Sequence, residues 1–198
     1  MKTAKIGLMC FFVFMLMACG CEVEPKKPEG KAELSSDVDE AIALFKAKDK
    51  SIQKFFDNSY GYAVLPKIFK VALLAGGAYG KGEVYEQGVM IGYCDMKHIS
   101  GGGSIGGEFY REIIFFREKK DLEKFKGDEF TFSAQAKAVA IVWGAAATTK
   151  YKDGVAVFIM TDVGLMADAS LSGQKFNFAP KYVLRKVEYG KRAEDSNE

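Results

Sequence analysis

The sequence predicts an α+β domain: an N-terminal amphipathic helix, then a mostly antiparallel, curved or barrel-like sheet with a short inserted helix. Three observations predict it. Val38, Ala41, Ile42, Phe45, Ile52, Phe55 and Phe56 recur at helical steps. After Asn58 the pattern changes to short apolar and aromatic runs. Those runs are punctuated by turn signals, Glu86-Gln87-Gly88 and Asp153-Gly154 among them. The overall balance, 48% hydrophobic and 27% charged residues, is that of a globular chain.

The first residues read as an address. Lys2 and Lys5 are followed by an uncharged apolar stretch over 6–18. That stretch falls short of the ~20 residues that span a bilayer as a helix, and it has the length of a signal-peptide core. It ends in Leu16-Met17-Ala18-Cys19, which resembles a bacterial lipobox. The resemblance implies cleavage between Ala18 and Cys19 and acylation of Cys19. Cys21 is a poorer candidate, with Ala18 rather than leucine three residues before it. Gly20, not aspartate, follows the cysteine. By the usual sorting rule that implies the outer membrane, with the domain facing the periplasm. Pro25, Pro28, Gly30 and mixed charges then suggest a flexible tether. The expected division is 1–18 leader, 19–35 tether, 36–190 folded domain and 191–198 polar tail.

Charge and cysteine use narrow the function. The net charge of +2 includes two leader lysines, so the mature chain is formally neutral. Such a chain does not bind nucleic acid by bulk electrostatics. Membrane affinity must come from acyl chains and local patches. Of four cysteines, only Cys94 lies in the folded region. A disulfide within the domain is therefore excluded, a Cys21–Cys94 pairing stays open, and a buried, inert Cys94 is expected.

Each element has its own signal. Ser36 or Asp37 is the expected N-cap, and Asp37 with Glu40 has capping-box spacing, giving a helix to about Asp57. Lys46, Lys50 and Lys54 are expected to share one face of it. A strand over 60–65 should stop at Pro66, with further runs over 71–78 and 82–85. The chain should return over 89–93 after a hairpin turn. Residues 110–116 end in Ile113-Ile114-Phe115-Phe116, as expected of a strand buried on both faces. Residues 119–126 read as a short helix with Leu122 and Phe125 inward. Phe130, Phe132, Val139 and Ile141 suggest more extended structure, although the alanines at 134, 136, 138 and 140 have good helix propensity. Strands over 155–160, 165–171 and 175–178 complete the count, with Ser172-Gly173 as a turn.

Several ordered blocks are similar to one family. They are Tyr60-Gly61-Tyr62-Ala63-Val64-Leu65-Pro66, Gly76-Gly77-Ala78-Tyr79-Gly80-Lys81-Gly82, Ile105-Gly106-Gly107-Glu108, Glu112-Ile113-Ile114-Phe115-Phe116 and Gly164-Leu165-Met166-Ala167-Asp168. Together they resemble the SYLF domain over roughly 36–182. Eukaryotic relatives bind phosphoinositides and some bind actin; bacterial relatives are mostly exported lipoproteins. The resemblance therefore implies lipid binding, with anionic phospholipid as the partner. It does not imply an actin partner.

No catalytic constellation competes. Gly101-Gly102-Gly103-Ser104-Ile105-Gly106 has G-x-G-x-x-G spacing, but a strand is expected after it where a dinucleotide site needs a helix. His98, the single histidine, stands near Asp95 without a nucleophile motif, and reads as a strand-end residue. Glu108 and Glu112 share a strand face and read as structural or solvated. No cofactor and no metal site are expected. The expectation is a membrane-anchored envelope lipoprotein with a non-catalytic lipid-binding domain. Cys19 is the lipidation site, and Lys67, Lys70 and Lys81 meet phosphates beside Ile68 and Phe69. The alternative is an envelope scaffold or protein-interaction module indifferent to lipid type. A hydrolase would need a cleft with perturbed titratable groups.

Overall fold

The computed structural model describes residues 23–72, 75–101, 106–127, 130–132, 139–140, 142, 144–161 and 173–181. Helix α1, Pro28–Lys48, leads through a 3-10 turn, Lys50–Ile52, into the short helix α2, Gln53–Asn58. Strands β1, Gly61–Ala72, β2, Ala75–Glu86, β3, Val89–Gly101, and β4, Gly106–Phe116, follow. Then come helix α3, Lys119–Lys126, the short strands β5, Phe130–Thr131, and β6, Val139–Ala140, and helix α4, Ala145–Thr148. Strands β7, Val155–Thr161, and β8, Gln174–Pro180, complete the described fold. The strands form one curled half-barrel sheet in the order β5-β8-β3-β2-β1-β4-β7-β6. Every pairing is antiparallel except β6 with β7. The fold is thus α+β with a curved sheet.

The first helix starts eight residues earlier than its polar caps suggest, at Pro28, which supplies a preset φ at the first helical position. Asp37 and Glu40 lie inside it, so they form no capping box. Residues 28–35, expected in the tether, are helical and attached. Ser35 Oγ donates to Glu83 Oε1 at 2.6 Å, and Lys31 Nζ lies 5.7 Å from the Tyr93 ring centroid. The helix also ends sooner. Asp49 breaks it and caps the 3-10 turn, accepting from Ser51 N at 3.0 Å. The apolar periodicity survives the break. Val38, Ala41, Phe45, Ile52 and Phe55 are all buried, packed with Val64, Ile113, Phe115 and Phe158 on the outer face of the sheet. The lysine stripe does not survive: Lys46 lies over Phe56, Lys54 donates to the Ala147 carbonyl, and Lys50 sits in the turn.

Pro66 does not end its strand. The β1 register shifts between Val64 and Lys67 against β2, and between Leu65 and Ile68 against β4. A bulge there absorbs the missing N–H, and the strand runs on to Ala72. Val71 and Ala78, expected in one run, fall on separate strands. The two hairpin signals behave as expected. Gln87 and Gly88 have φ of 49° and 80°, and Asp153 and Gly154 have 52° and 84°. Paired left-handed residues are what tight hairpins require. Helix α3 has the expected bounds, and its Leu122 and Phe125 are buried among Phe116, Phe130 and Phe176. The expected strand at 165–171 and the alanines at 134, 136 and 138 lie outside the described residues.

Strand alternation divides β4 cleanly. Ile113 and Phe115 face the helices, whereas Ile114 and Phe116 face the inside of the curl. The inner face is aromatic near α3 and turns polar toward the far end of the sheet. Helices α1, α2 and α4 cover the near half of the outer face, and α3 packs on the inner one.

Candidate functional site

The lysines predicted to meet lipid are not on one face. Lys67 and Lys81 are cross-strand partners on the outer face. Lys67 reaches Asp37 of α1 at 3.7 Å and remains 63% exposed. Lys70 faces inward, 3.1 Å from its β4 partner Glu108, and its charge is felt at His98. Ile68 is fully buried in the inner core, so it is no interfacial side chain. The bulge at Pro66 explains both results. It resets the alternation of β1, which cannot be counted through it from the sequence alone. Cys19 lies outside the described residues.

What the outer face does gather is a set of exposed apolar side chains beyond the helices. Phe69 is 44% exposed, Phe109 49%, Val71 41% and Ile99 77%. Phe69 and Phe109 are register partners with ring centroids 5.0 Å apart. Across the sheet the next partners are Tyr79 and Lys97. One row further out, Val71 faces Gly77, which faces Ile99. One row inward, toward α1, stand Lys67 and Lys81, with Arg111 beside them on β4. Basic side chains therefore border an aromatic and aliphatic tip, with Asp37 and Asp95 as the nearby acids. Sequence reasoning identified Phe69 and missed Phe109, Val71 and Ile99. Their strand period was legible, but which strands are neighbours was not.

The inner face at the same end is polar and closed. Glu112 is fully buried, and Gln174 Nε2 donates to its Oε2 at 3.3 Å. Burial pushes the Glu112 carboxyl up to about 8, against the lowering effect of the Gln174 donor. Tyr110 shares this space; burial pushes its hydroxyl up as well. His98 is half-buried opposite Gln174, its pKa lowered by burial and then by Lys70. Asp95 does not orient it, because three residues along a strand place the two on opposite faces. Glu108 and Glu112 share the inner face as expected, one at the rim and one sealed inside. A carboxyl with no exposed atom is not poised on a cleft, so its shift is no sign of a hydrolase. Cys94 is fully buried on this face, and burial pushes its thiol up. Among the described residues no group of His, Cys, Asp and Glu could hold a metal ion. Among them, no helix is long and apolar enough to cross a membrane.

Residues 97–182 match the family model Ysc84, described as Las17-binding protein actin regulator. The Ysc84 (SYLF) model thus matches less than half of the chain. That match takes in the end of β3, β4 and everything to β8, whereas Lys67, Phe69 and Lys81 precede it. The chain is also similar to Beta cell expansion factor A of Aeromonas veronii, 28% identical over 149 residues. The alignment covers 75% of this chain and 57% of that protein, so the chain spans little more than half of its relative's length. The family description is that of a binding protein and regulator rather than of an enzyme.

Proposed function

We propose that this protein is an envelope lipoprotein whose SYLF domain binds anionic lipid through the far outer face of its sheet, without catalysing a reaction. Cys19 carries the acyl anchor and holds the domain at the outer membrane, facing the periplasm. The observation that carries the lipid reading is the Phe69–Phe109 pair, half exposed and bordered by Lys67, Lys81, Lys97 and Arg111. An aromatic tip with a basic border matches the two layers of an anionic bilayer surface, acyl boundary below and phosphates above. Roughly half of each phenylalanine is still available for burial, worth about 2 kcal/mol per ring at ~25 cal/mol per Å². Each lysine near the surface adds about 1 kcal/mol, screened by salt. Affinity should therefore be modest, selective for anionic vesicles and only partly lost at high salt.

The test uses the chain from residue 19 with Cys19→Ser, so that no acyl chain contributes. It should float with anionic vesicles and weakly with neutral ones. Phe69→Ser with Phe109→Ser should weaken flotation by at least ~10-fold at an unchanged melting temperature. Equal flotation of parent and double variant would remove this face as the lipid site. Binding to a protein partner with indifference to lipid type would favour the scaffold reading.

A further inference from the structure

Glu112 and Gln174 belong to strands that do not touch in the sheet. Strands β4 and β8 are separated by β1, β2 and β3, yet the two side chains meet across the inside of the curl. Both are buried, at 0% and 2% exposure. Gln174 Nε2 donates to Glu112 Oε2 at 3.3 Å. Among the described residues, Glu112 Oε1 and Gln174 Oε1 have no hydrogen-bond partner. One is an amide oxygen and can only accept; the other accepts when ionised and donates when protonated. A single proton on Glu112 Oε1, donated to Gln174 Oε1, would satisfy both atoms and close an acid–amide ring. An ionised Glu112 leaves both unpaired, and among the described residues the inward-facing cation nearby, Lys70, is already paired with Glu108.

We propose that the protein folds with Glu112 as the neutral acid, and that Glu112 and Gln174 form a proton-operated clasp tying β8 to β4 across the curled sheet. This rests on the interior geometry alone and stands or falls apart from the lipid reading. The groups facing the clasp are Tyr110 and Glu108 on β4, Cys94 and His98 on β3, and Lys70 on β1. Lys70 is paired with Glu108 at the rim. The neighbouring side chains just after β5 and on β7 and β8, Phe132, Ile159 and Phe176, are apolar.

The pH dependence follows from linkage. The carboxyl is held near 8 when folded and near 4.5 when unfolded. Between those values the folded state binds more protons, so this contribution is whole at low pH and is lost as pH rises. His98, with its lowered folded value, contributes with the opposite slope near its ordinary range. The two are therefore separable.

The direct measurement is a carbon-13 titration of the Glu112 side-chain carboxyl in the purified unsubstituted protein. It should titrate near 8. Unfolding midpoints from pH 5 to 9 complete the test. Glu112→Gln keeps an acceptor for Gln174 Nε2 and supplies a permanent donor to Gln174 Oε1. Relative to this variant, the parent should lose stability as pH rises to about 8 and level off above it, ending the less stable at pH 9. A Glu112 carboxyl titrating in the ordinary carboxylate range would overturn the proposal. So would parent and variant curves that run parallel across the whole range.

Discussion

Asp49→Ala should destabilise the domain by about 3 kcal/mol, because one carboxylate organises the break between α1 and α2 and ties it to α4. It accepts from Ser51 N at 3.0 Å, from Ser51 Oγ at 2.7 Å and from Ala146 N, 97 residues away, at 2.8 Å. Asp49 is 2% exposed and Ala146 fully buried. Its removal leaves the Ala146 N–H without an acceptor, at roughly 1–3 kcal/mol. The lost cap on the 3-10 turn adds ~1 kcal/mol. For a domain of this size that total lowers Tm by roughly 6–12 °C. Burial alone would raise the Asp49 pKa, but the donors from Ala146 and Ser51 outweigh it and hold the carboxyl below its usual value. A depressed folded value means stabilisation that is whole above the unfolded value of about 3.9 and is lost as pH falls through the folded one. Thermal unfolding of parent and variant at pH 7 and pH 3 measures both effects. The gap should be large at pH 7 and smaller at pH 3. A gap under ~1 kcal/mol at pH 7, or one unchanged at pH 3, would mean that the Asp49 carboxylate does not hold this junction together.

Gly82→Ala should cost at least ~2 kcal/mol by urea unfolding, because a Cβ there runs into the Val64 carbonyl and lies 3.0 Å from Leu65 Cγ, where the β1 bulge closes on β2. In the chain from residue 19 carrying Cys19→Ser and Cys21→Ser, Cys94 should react with a thiol reagent no faster than the domain unfolds; burial removes both access and thiolate. Rapid stoichiometric labelling under native conditions would contradict its placement. Cys19→Ser in the full precursor should abolish palmitate labelling and leave the protein soluble or unprocessed after fractionation; a labelled, processed variant would exclude Cys19 as the anchor.

Much of the fold was legible because its local signals agree with its packing. The apolar positions from Val38 to Phe55 are the residues buried against the sheet, even across a helix break their spacing does not reveal. Leu122 and Phe125 point inward as their spacing predicts, and both hairpin turns adopt left-handed pairs. The helix start was misplaced because Pro28 and Gly30 read as linker residues, although proline suits a first helical turn and tertiary contacts at Lys31 and Ser35 hold the segment. The site was only half legible. Lys67, Lys70 and Lys81 were expected together, yet one bulge turns Lys70 inward and buries Ile68. Phe109 joins Phe69 through a pairing of strands some forty residues apart, which no local pattern encodes. The Glu112–Gln174 contact is longer still in sequence and depends on the curl of the whole sheet.

The most direct test of lipid binding by the far outer face is to place a reporter in it. Phe109→Trp in the Cys19→Ser chain adds one indole at the aromatic tip, and the parent, with Trp143 alone, supplies the background. Anionic vesicles containing lipid brominated high on the acyl chain should quench and blue-shift the added emission, with little change in the parent. The quenching should persist in part at high salt, because the ring is held by apolar burial. Vesicles that bind the protein yet leave the added emission unquenched and unshifted would contradict the account.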